Sequence, residues 1–328
     1  MIGQLKKVLI SFLLMSIPTY AVTIKLGVLA PEGTNWANTL KDLSQEIKKE
    51  TNGEVKFKIY FGGVQGDEPD VLRKTHLGTM HGGVFTGRTL GEIYGDVRVI
   101  ELPFNFREKR EKALQAVAAL QTQFDKGFMD HGFQCLGYFE IGNVYLVSSK
   151  KVNNISDLKK IKIWSWEGDL LATSLVDSLE LASVPLALPQ VMSSLSTGVI
   201  DAAYATPLAI IALQWHSKVK FLVNFPITFS LGALVISNQG WNQIPSKYHQ
   251  KIKAITKKYV DMANLQTIKE NDDALIALKK NGIEFIDFPK TDVAKGKDIR
   301  SKVIVQLQTK KLITAKMVKL FDQHSNSK

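Results

Sequence analysis

Three consecutive segments decide the fold: Thr23-Ile24-Lys25-Leu26-Gly27-Val28-Leu29, then residues 35–51, then Val55-Lys56-Phe57-Lys58-Ile59-Tyr60-Phe61. The first alternates apolar and polar and then turns wholly apolar, as a strand entering a buried sheet does. In the second, Trp36, Leu40, Leu43 and Ile47 recur at three- and four-residue spacing and Asn52-Gly53 supplies a stop, which predicts an amphipathic helix. In the third, Val55, Phe57, Ile59 and Phe61 alternate with Lys56, Lys58 and Tyr60, giving a second strand. A strand, helix and strand at this spacing require a parallel pair with a right-handed crossover.

Working outward, the pattern repeats. Residues 67–77 open on Asp67 as a cap, carry Pro69 in the first turn and precede a short strand over 82–86. A helix is predicted over 107–130, then strands over 133–139 and 143–149. The second half reads strand 161–166, helix 169–181, strand 184–188, helix 189–197 and strand 200–206. Two α/β halves follow one another. From Pro245 to Gly282 there is neither Pro nor Gly within the stretch, and Ser246 is a candidate cap. Residues 246–280 therefore read either as one helix near 50 Å long or as two broken near Asn271. Residues 299–320 read as an amphipathic helix before a polar tail.

The N-terminus reads as a secretory signal. Lys6 and Lys7 form a positive region, residues 8–17 are an apolar run of ten, and Thr19-Tyr20-Ala21 offers small residues around a cleavage point after Ala21. The run is half the length a bilayer needs and ends at Pro18, so a spanning helix is not expected. Cleavage would leave 307 of 328 residues and lower the net charge from +11 to +9. A single cysteine, Cys135, permits no intrachain disulfide, so an exported chain of this size must rely on an ordinary hydrophobic core. The expected location is the periplasm.

The charge balance of 42 Lys and Arg against 31 Asp and Glu contains only six Arg. Arg is the usual choice for bidentate phosphate and base recognition, so a nucleic-acid partner is not expected, and the excess reads as a Lys-rich solvated surface. GxSxG, HExxH, Walker A and GxGxxG patterns are absent, and the six His are scattered, so no enzyme activity, cofactor or metal is expected. Ser156-Asp157-Leu158-Lys159 matches SxxK without accompanying triads and reads as a helix cap at Ser156.

Aromatic residues stand at strand ends. Trp36 follows the first strand, Phe85 and Thr86 end the third, with Arg88 just beyond, Trp164 and Trp166 lie two apart on one strand face, and Tyr204 precedes Thr206 and Pro207. The crevice beyond the carboxyl ends of strands is where open α/β sheets bind ligands. These nine residues are the candidate ligand contacts.

The chain resembles the DctP-type substrate-binding proteins of tripartite ATP-independent periplasmic (TRAP) transporters over roughly residues 23–321. The resemblance rests on Thr51-Asn52-Gly53-Glu54-Val55 with Gly62-Gly63-Val64-Gln65-Gly66-Asp67-Glu68, on Glu101-Leu102-Pro103-Phe104, on residues 156–163, and on Leu195-Ser196-Thr197-Gly198-Val199-Ile200-Asp201-Ala202-Ala203. It implies a two-lobed periplasmic-binding-protein fold, each lobe a β-sheet flanked by helices, with a long helix crossing both. Lobe I would hold residues 22–143 and about 230–262, and lobe II residues 144–229 and about 263–328. It also implies a small-molecule ligand, membrane permease subunits as partners, and a monomer.

One departure bears on the ligand. The resemblance implies an Arg for the substrate carboxylate directly after Ile163, where this chain has Trp164, and an Asn-Pro where it has Tyr204-Ala205-Thr206-Pro207. Burying a carboxylate against indoles without a cation is costly. A more apolar or aromatic ligand is therefore expected. Two alternatives stay open: an organic acid held by Arg88 from the opposite lobe, and a sensor or carrier of lipid- or sterol-like cargo on the same fold. Glu167 and Asp169 read as solvated turn acids and a helix cap, with a cationic ligand as a lesser reading.

Overall fold

The opening segment folds as its pattern requires. The computed structural model describes residues 21–106 and 110–325. Its strands are β1 (Val22–Val28), β2 (Val55–Tyr60), β3 (Gly82–Thr86), β4 (Phe133–Ser148), β5 (Ile163–Trp166), β6 (Ser183–Leu186), β7 (Ala202–Ala205), β8 (Phe221–Val223), β9 (Thr228–Ser237) and β10 (Glu284–Ile286). β1 pairs in parallel with β2 and β3, and helix Asn35–Glu50 makes the crossover. Thr34 caps that helix, its Oγ1 accepting from Ala37 N, and Ala37, Leu40, Leu43 and Ile47 form its buried face.

The strand order is β2-β1-β3-β9-β4-β7-β5-β6, with β8 joining β4 to β10. β4 is one strand of 16 residues, where the sequence predicted two. Its register shifts between Cys135 and Gly137 and again between Glu140 and Gly142, so it bends without losing its ladder. Gly142 at φ +113° takes a conformation that side-chain-bearing residues rarely adopt, which is why Ile141-Gly142 looked like a break. The first part of β4, to Val144, runs antiparallel to β9, and Tyr145–Ser148 pair with β7 and β8. Two sheets thus share one strand. β9, the neighbour of β4 in the first sheet, is not among the strands predicted from the sequence, although Thr228-Phe229-Ser230-Leu231 alternates polar and apolar.

A single helix, His249–Lys280, spans 32 residues, about 48 Å at 1.5 Å per residue. Ser246 does not cap it but starts a 3₁₀ turn, Ser246–Tyr248. Ile252, Ile255, Tyr259 and Val260 pack on the first sheet, with Ile24, Leu43 and Phe139, while Leu278 enters the core of the second, with Trp164 and Trp215. At the crossing, Asn264 donates to Tyr138 O (3.1 Å) and accepts from Glu140 N (2.8 Å). Two helical turns further, Asn271 donates to Ile141 O (3.1 Å) and accepts from Leu208 N (3.1 Å). The helix continues through Asn271, whose Nδ2 donates both to Ile141 O of β4 and to Thr267 O one turn back in the helix.

The tail is two helices, Gly296–Thr309 and Ala315–Ser325, rather than one over 299–320. Lys311 at φ +58° and a Thr314 cap separate them, with Thr314 Oγ1 accepting from Met317 N at 3.1 Å. Val303, Leu307, Met317 and Phe321 join Phe124 and Phe128 of helix Arg110–Asp130 in one core cluster. The predicted start of that helix at residue 107, the signal segment 1–20 and residues 326–328 lie outside the described residues. Helix Ile155–Leu158 is capped by Asn154, whose Oδ1 accepts from Asp157 N, and not by Ser156. Among the described residues no helix is long and apolar enough to cross a membrane.

Candidate functional site

A cavity of about 280 Å³ takes its wall from both sheets. One end is aliphatic. Leu171, Leu175, Val176 and Leu179 project into it from one face of helix Leu170–Leu179, and Val144, Leu146, Phe225 and Ile227 add to the same lining. Their three- and four-residue spacing is what turns that face inward. The other end is polar and contains Glu68, Thr86, Arg88, Arg98, Glu101, Asp169 and Tyr204.

Every charge at the polar end has a partner within the protein. Arg98, 3% exposed, donates from Nη2 to both Asp169 oxygens (3.0 and 3.1 Å). Its Nε lies 3.1 Å from Glu101 Oε2, an ion pair out of line for a hydrogen bond. Burial works against the Arg98 charge, but Asp169 and Glu101 outweigh it and hold the guanidinium above its ordinary pKa. Glu101 also accepts from Ser230 Oγ and Leu231 N, and burial nevertheless pushes its carboxyl up. Arg88 donates to Glu167 O from Nε and Nη2 (3.1 and 2.6 Å) and to Glu92 from Nη1 (2.6 Å). Glu68 accepts from Thr86 N and Oγ1, each at 3.0 Å; burial pushes its pKa up to about 7 against those bonds.

Between the ends stands an aromatic cluster. Tyr204 stacks on Trp164 with ring centroids 4.7 Å apart, Trp166 tilts against it at 5.8 Å and Trp215 meets it edge-on at 5.6 Å. Trp164 Nε1 donates to Leu186 O (3.0 Å), and Trp166 N donates to Tyr204 Oη (3.1 Å). Trp166 Nε1 reaches across to Asp67 Oδ2 (2.9 Å), which also accepts from Leu188 N (3.2 Å). Asp67 Oδ1 meanwhile caps helix Glu68–His76 through Glu68 N.

Of the nine candidate contacts, Thr86, Arg88, Trp164, Trp166, Tyr204 and Thr206 line the cavity. Three do not. Trp36 packs on Phe139 at 4.6 Å and donates to Thr267 Oγ1 of the long helix (3.2 Å). Phe85 is 1% exposed in the first core, and Pro207 opens the buried first turn of helix Pro207–Ala212. Trp36 and Phe85 point away because alternate side chains of a strand, and opposite faces of a helix, serve different layers. Asp169 does cap helix Leu170–Leu179 as expected, through Leu171 N (2.9 Å), but it is buried beside Arg98 rather than solvated. Arg98, Glu101 and the aliphatic wall were not foreseen as contacts. The only sequence signal for them was Glu101 in the Glu-Leu-Pro-Phe stretch and the rarity of Arg.

Residues 26–311 match the family described as bacterial extracellular solute-binding protein, family 7. A solute-binding protein of Chromohalobacter salexigens is 24% identical over 221 residues, 65% of this chain and 64% of its own length, so the match spans slightly less than two thirds of that relative. The C4-dicarboxylate-binding periplasmic protein DctP of Rhodobacter capsulatus is 22% identical over 82% of both chains. A TRAP periplasmic solute binding protein from Haemophilus influenzae, solved with bound L-gulonate, superposes with a TM-score of 0.85 at 20% identity, covering 92% of this chain and 99% of its own. The two-lobed α/β architecture is therefore that of the solved receptors, and the family is one of receptors rather than enzymes. The chain belongs to family 7 of the bacterial extracellular solute-binding proteins.

Proposed function

We propose that this chain is the periplasmic receptor of a TRAP-type transporter, closing two lobes over a solute with a large apolar body and delivering it to membrane permease subunits. The aliphatic wall carries this reading: Leu171, Leu175, Val176 and Leu179 line the cavity together with Val144, Leu146, Phe225 and Ile227, an apolar surface of a kind that a sugar does not need. Each buried methylene contributes about 0.8 kcal/mol, whereas an unpaired polar group costs about 1–3 kcal/mol there. Trp164, at the place where carboxylate-binding relatives are expected to carry Arg, adds an indole where a cation would be needed. In the lobe division we propose, the lobes meet within β4 at Val144–Tyr145, and the two C-terminal helices bridge them, sharing one core cluster with Phe124 and Phe128 of lobe I and Leu171 of lobe II.

A second reading is an organic acid, favoured by the dicarboxylate and gulonate named for the relatives and by the two guanidiniums in the wall. Thermal-shift and calorimetric titration with octanamide, indole, succinate, L-gulonate and D-glucuronate separate the two. Stabilisation by the neutral apolar compounds is expected. Stabilisation by the acids alone would reject the first reading in favour of the second.

A further inference from the structure

We infer that Asp169 and Glu101 are specificity-determining residues that keep carboxylates out of the cavity by occupying Arg98 from within its wall. The inference rests on the apolar-solute reading. A free guanidinium lining a cavity is the natural anchor for an acid, since bidentate pairing gives both charge and geometry. Arg98 is not free. Asp169 takes its Nη2 at 3.0 and 3.1 Å, and Glu101 sits 3.1 Å from its Nε. The three groups are all less than a tenth exposed and together carry a formal charge of one negative.

An incoming carboxylate would bring a third anion to one buried cation, and like charges at such distances repel strongly where water is scarce. Displacing Asp169 would also strip the cap from Leu171 N and Ala172 N. The other guanidinium offers no substitute, because Arg88 is already held by Glu92 and Glu167 O.

The protein is shaped around this ion pair. Gly87 and Gly91 lie four apart on helix Gly87–Ile93, facing it. A Cβ at Gly87 would fall 2.0 Å from Glu101 Oε2, and one at Gly91 would fall 2.9 Å from Arg98 Cγ. Both are closer than a Cβ approaches, so a side chain at either position would require Glu101 or Arg98 to shift. Glu101 is further fixed by Ser230 Oγ and Leu231 N at 3.1 Å each. A carboxylate pinned by three partners is a wall, and it does not yield its place to a solute carboxylate.

The test compares octanoate with octanamide, the same body with and without charge, by calorimetric titration of wild type, Asp169→Asn and Glu101→Gln. Asn at 169 keeps a cap acceptor and removes the charge. Wild type is expected to favour octanamide, and the octanoate-to-octanamide affinity ratio is expected to rise at least about tenfold in Asp169→Asn, consistent with removing a unit charge beside a paired guanidinium. Adding Arg98→Met should abolish that rise. An unchanged ratio in both single variants, with their circular dichroism melts confirming a fold, overturns the inference, as does a wild type that binds octanoate as tightly as octanamide. If octanamide binds no variant, the apolar-solute reading fails instead, and the gain or absence of D-glucuronate binding in Asp169→Asn still decides the role of Asp169.

Discussion

Asp67 is expected to act as a latch between the lobes, and Asp67→Asn isolates that role. Its Oδ1 caps helix Glu68–His76, in the first lobe of the division proposed above, while its Oδ2 accepts from Trp166 Nε1 at 2.9 Å and Leu188 N at 3.2 Å, in the second. Asn retains an oxygen for the cap but turns an NH₂ toward two N–H donors, which then have no acceptor. Each buried donor left unpaired costs about 1–3 kcal/mol, so the pair amounts to about 2–6 kcal/mol, all of it specific to the closed arrangement. At 1.4 kcal/mol per tenfold, the closed-to-open ratio of the ligand-free protein should fall by about 30-fold or more. Small-angle scattering should show a larger radius of gyration. Dyes on Leu77→Cys and Val199→Cys, both exposed and on opposite lobes, in a Cys135→Ser background, should report lower energy transfer. Apparent affinity for octanamide should drop by the same factor as the closed population. A variant as compact as wild type, with unchanged transfer and affinity, would refute the latch.

Two further outcomes are expected. Trp164→Ala should lower stability by about 3–5 kcal/mol, read from chemical denaturation, because the indole is 1% exposed and packed by three aromatic rings. A loss below about 1 kcal/mol would contradict that packing. Glu68, pushed from 4.5 to about 7, binds its proton more tightly folded than unfolded. Stability should therefore be highest below about pH 4.5 with respect to this group and decline as pH rises to about 7, by about 3 kcal/mol in all. Glu68→Gln removes that decline, so the wild-type-minus-variant difference in unfolding free energy across pH 5 to 8 should slope. A flat difference would place Glu68 in a solvated setting.

The local chemistry of the fold was legible because each element announced itself by period: four apolar residues at helical spacing in 35–50, alternation in 55–60, an Asp cap before 68. β4 was misread as two strands, since Gly142 at a bulge has the same sequence signature as Gly at a turn. The cavity was half legible. Trp164, Trp166 and Tyr204 stood at strand ends where a crevice forms, and they do line it. The aliphatic wall did not stand out, because Leu171, Leu175, Val176 and Leu179 are what any amphipathic helix presents to a core, and only the tertiary structure leaves space in front of them. Arg98 and Asp169, 71 residues apart, are joined by a contact that no spacing rule reaches.

The crossing of the lobes by one continuous strand and one continuous helix has a mechanical consequence. Such a pair resists sliding and separation, since either would tear the β4 ladder or the Asn264 and Asn271 amides from its backbone, but it bends readily where the ladder already slips register, between Glu140 and Gly142. We expect the receptor to open as a page turns about its spine, with the axis through the bulge. The amides of Glu140 and Gly142 should then exchange with deuterium at the rate of lobe motion, while their neighbours on β4 remain protected. Uniform protection along β4 would place the axis elsewhere. The spine also sets the travel: a helix of about 48 Å anchored at both lobes can flex only so far before its own hydrogen bonds break, so the aperture offered to a solute is limited by backbone elasticity rather than by the latch.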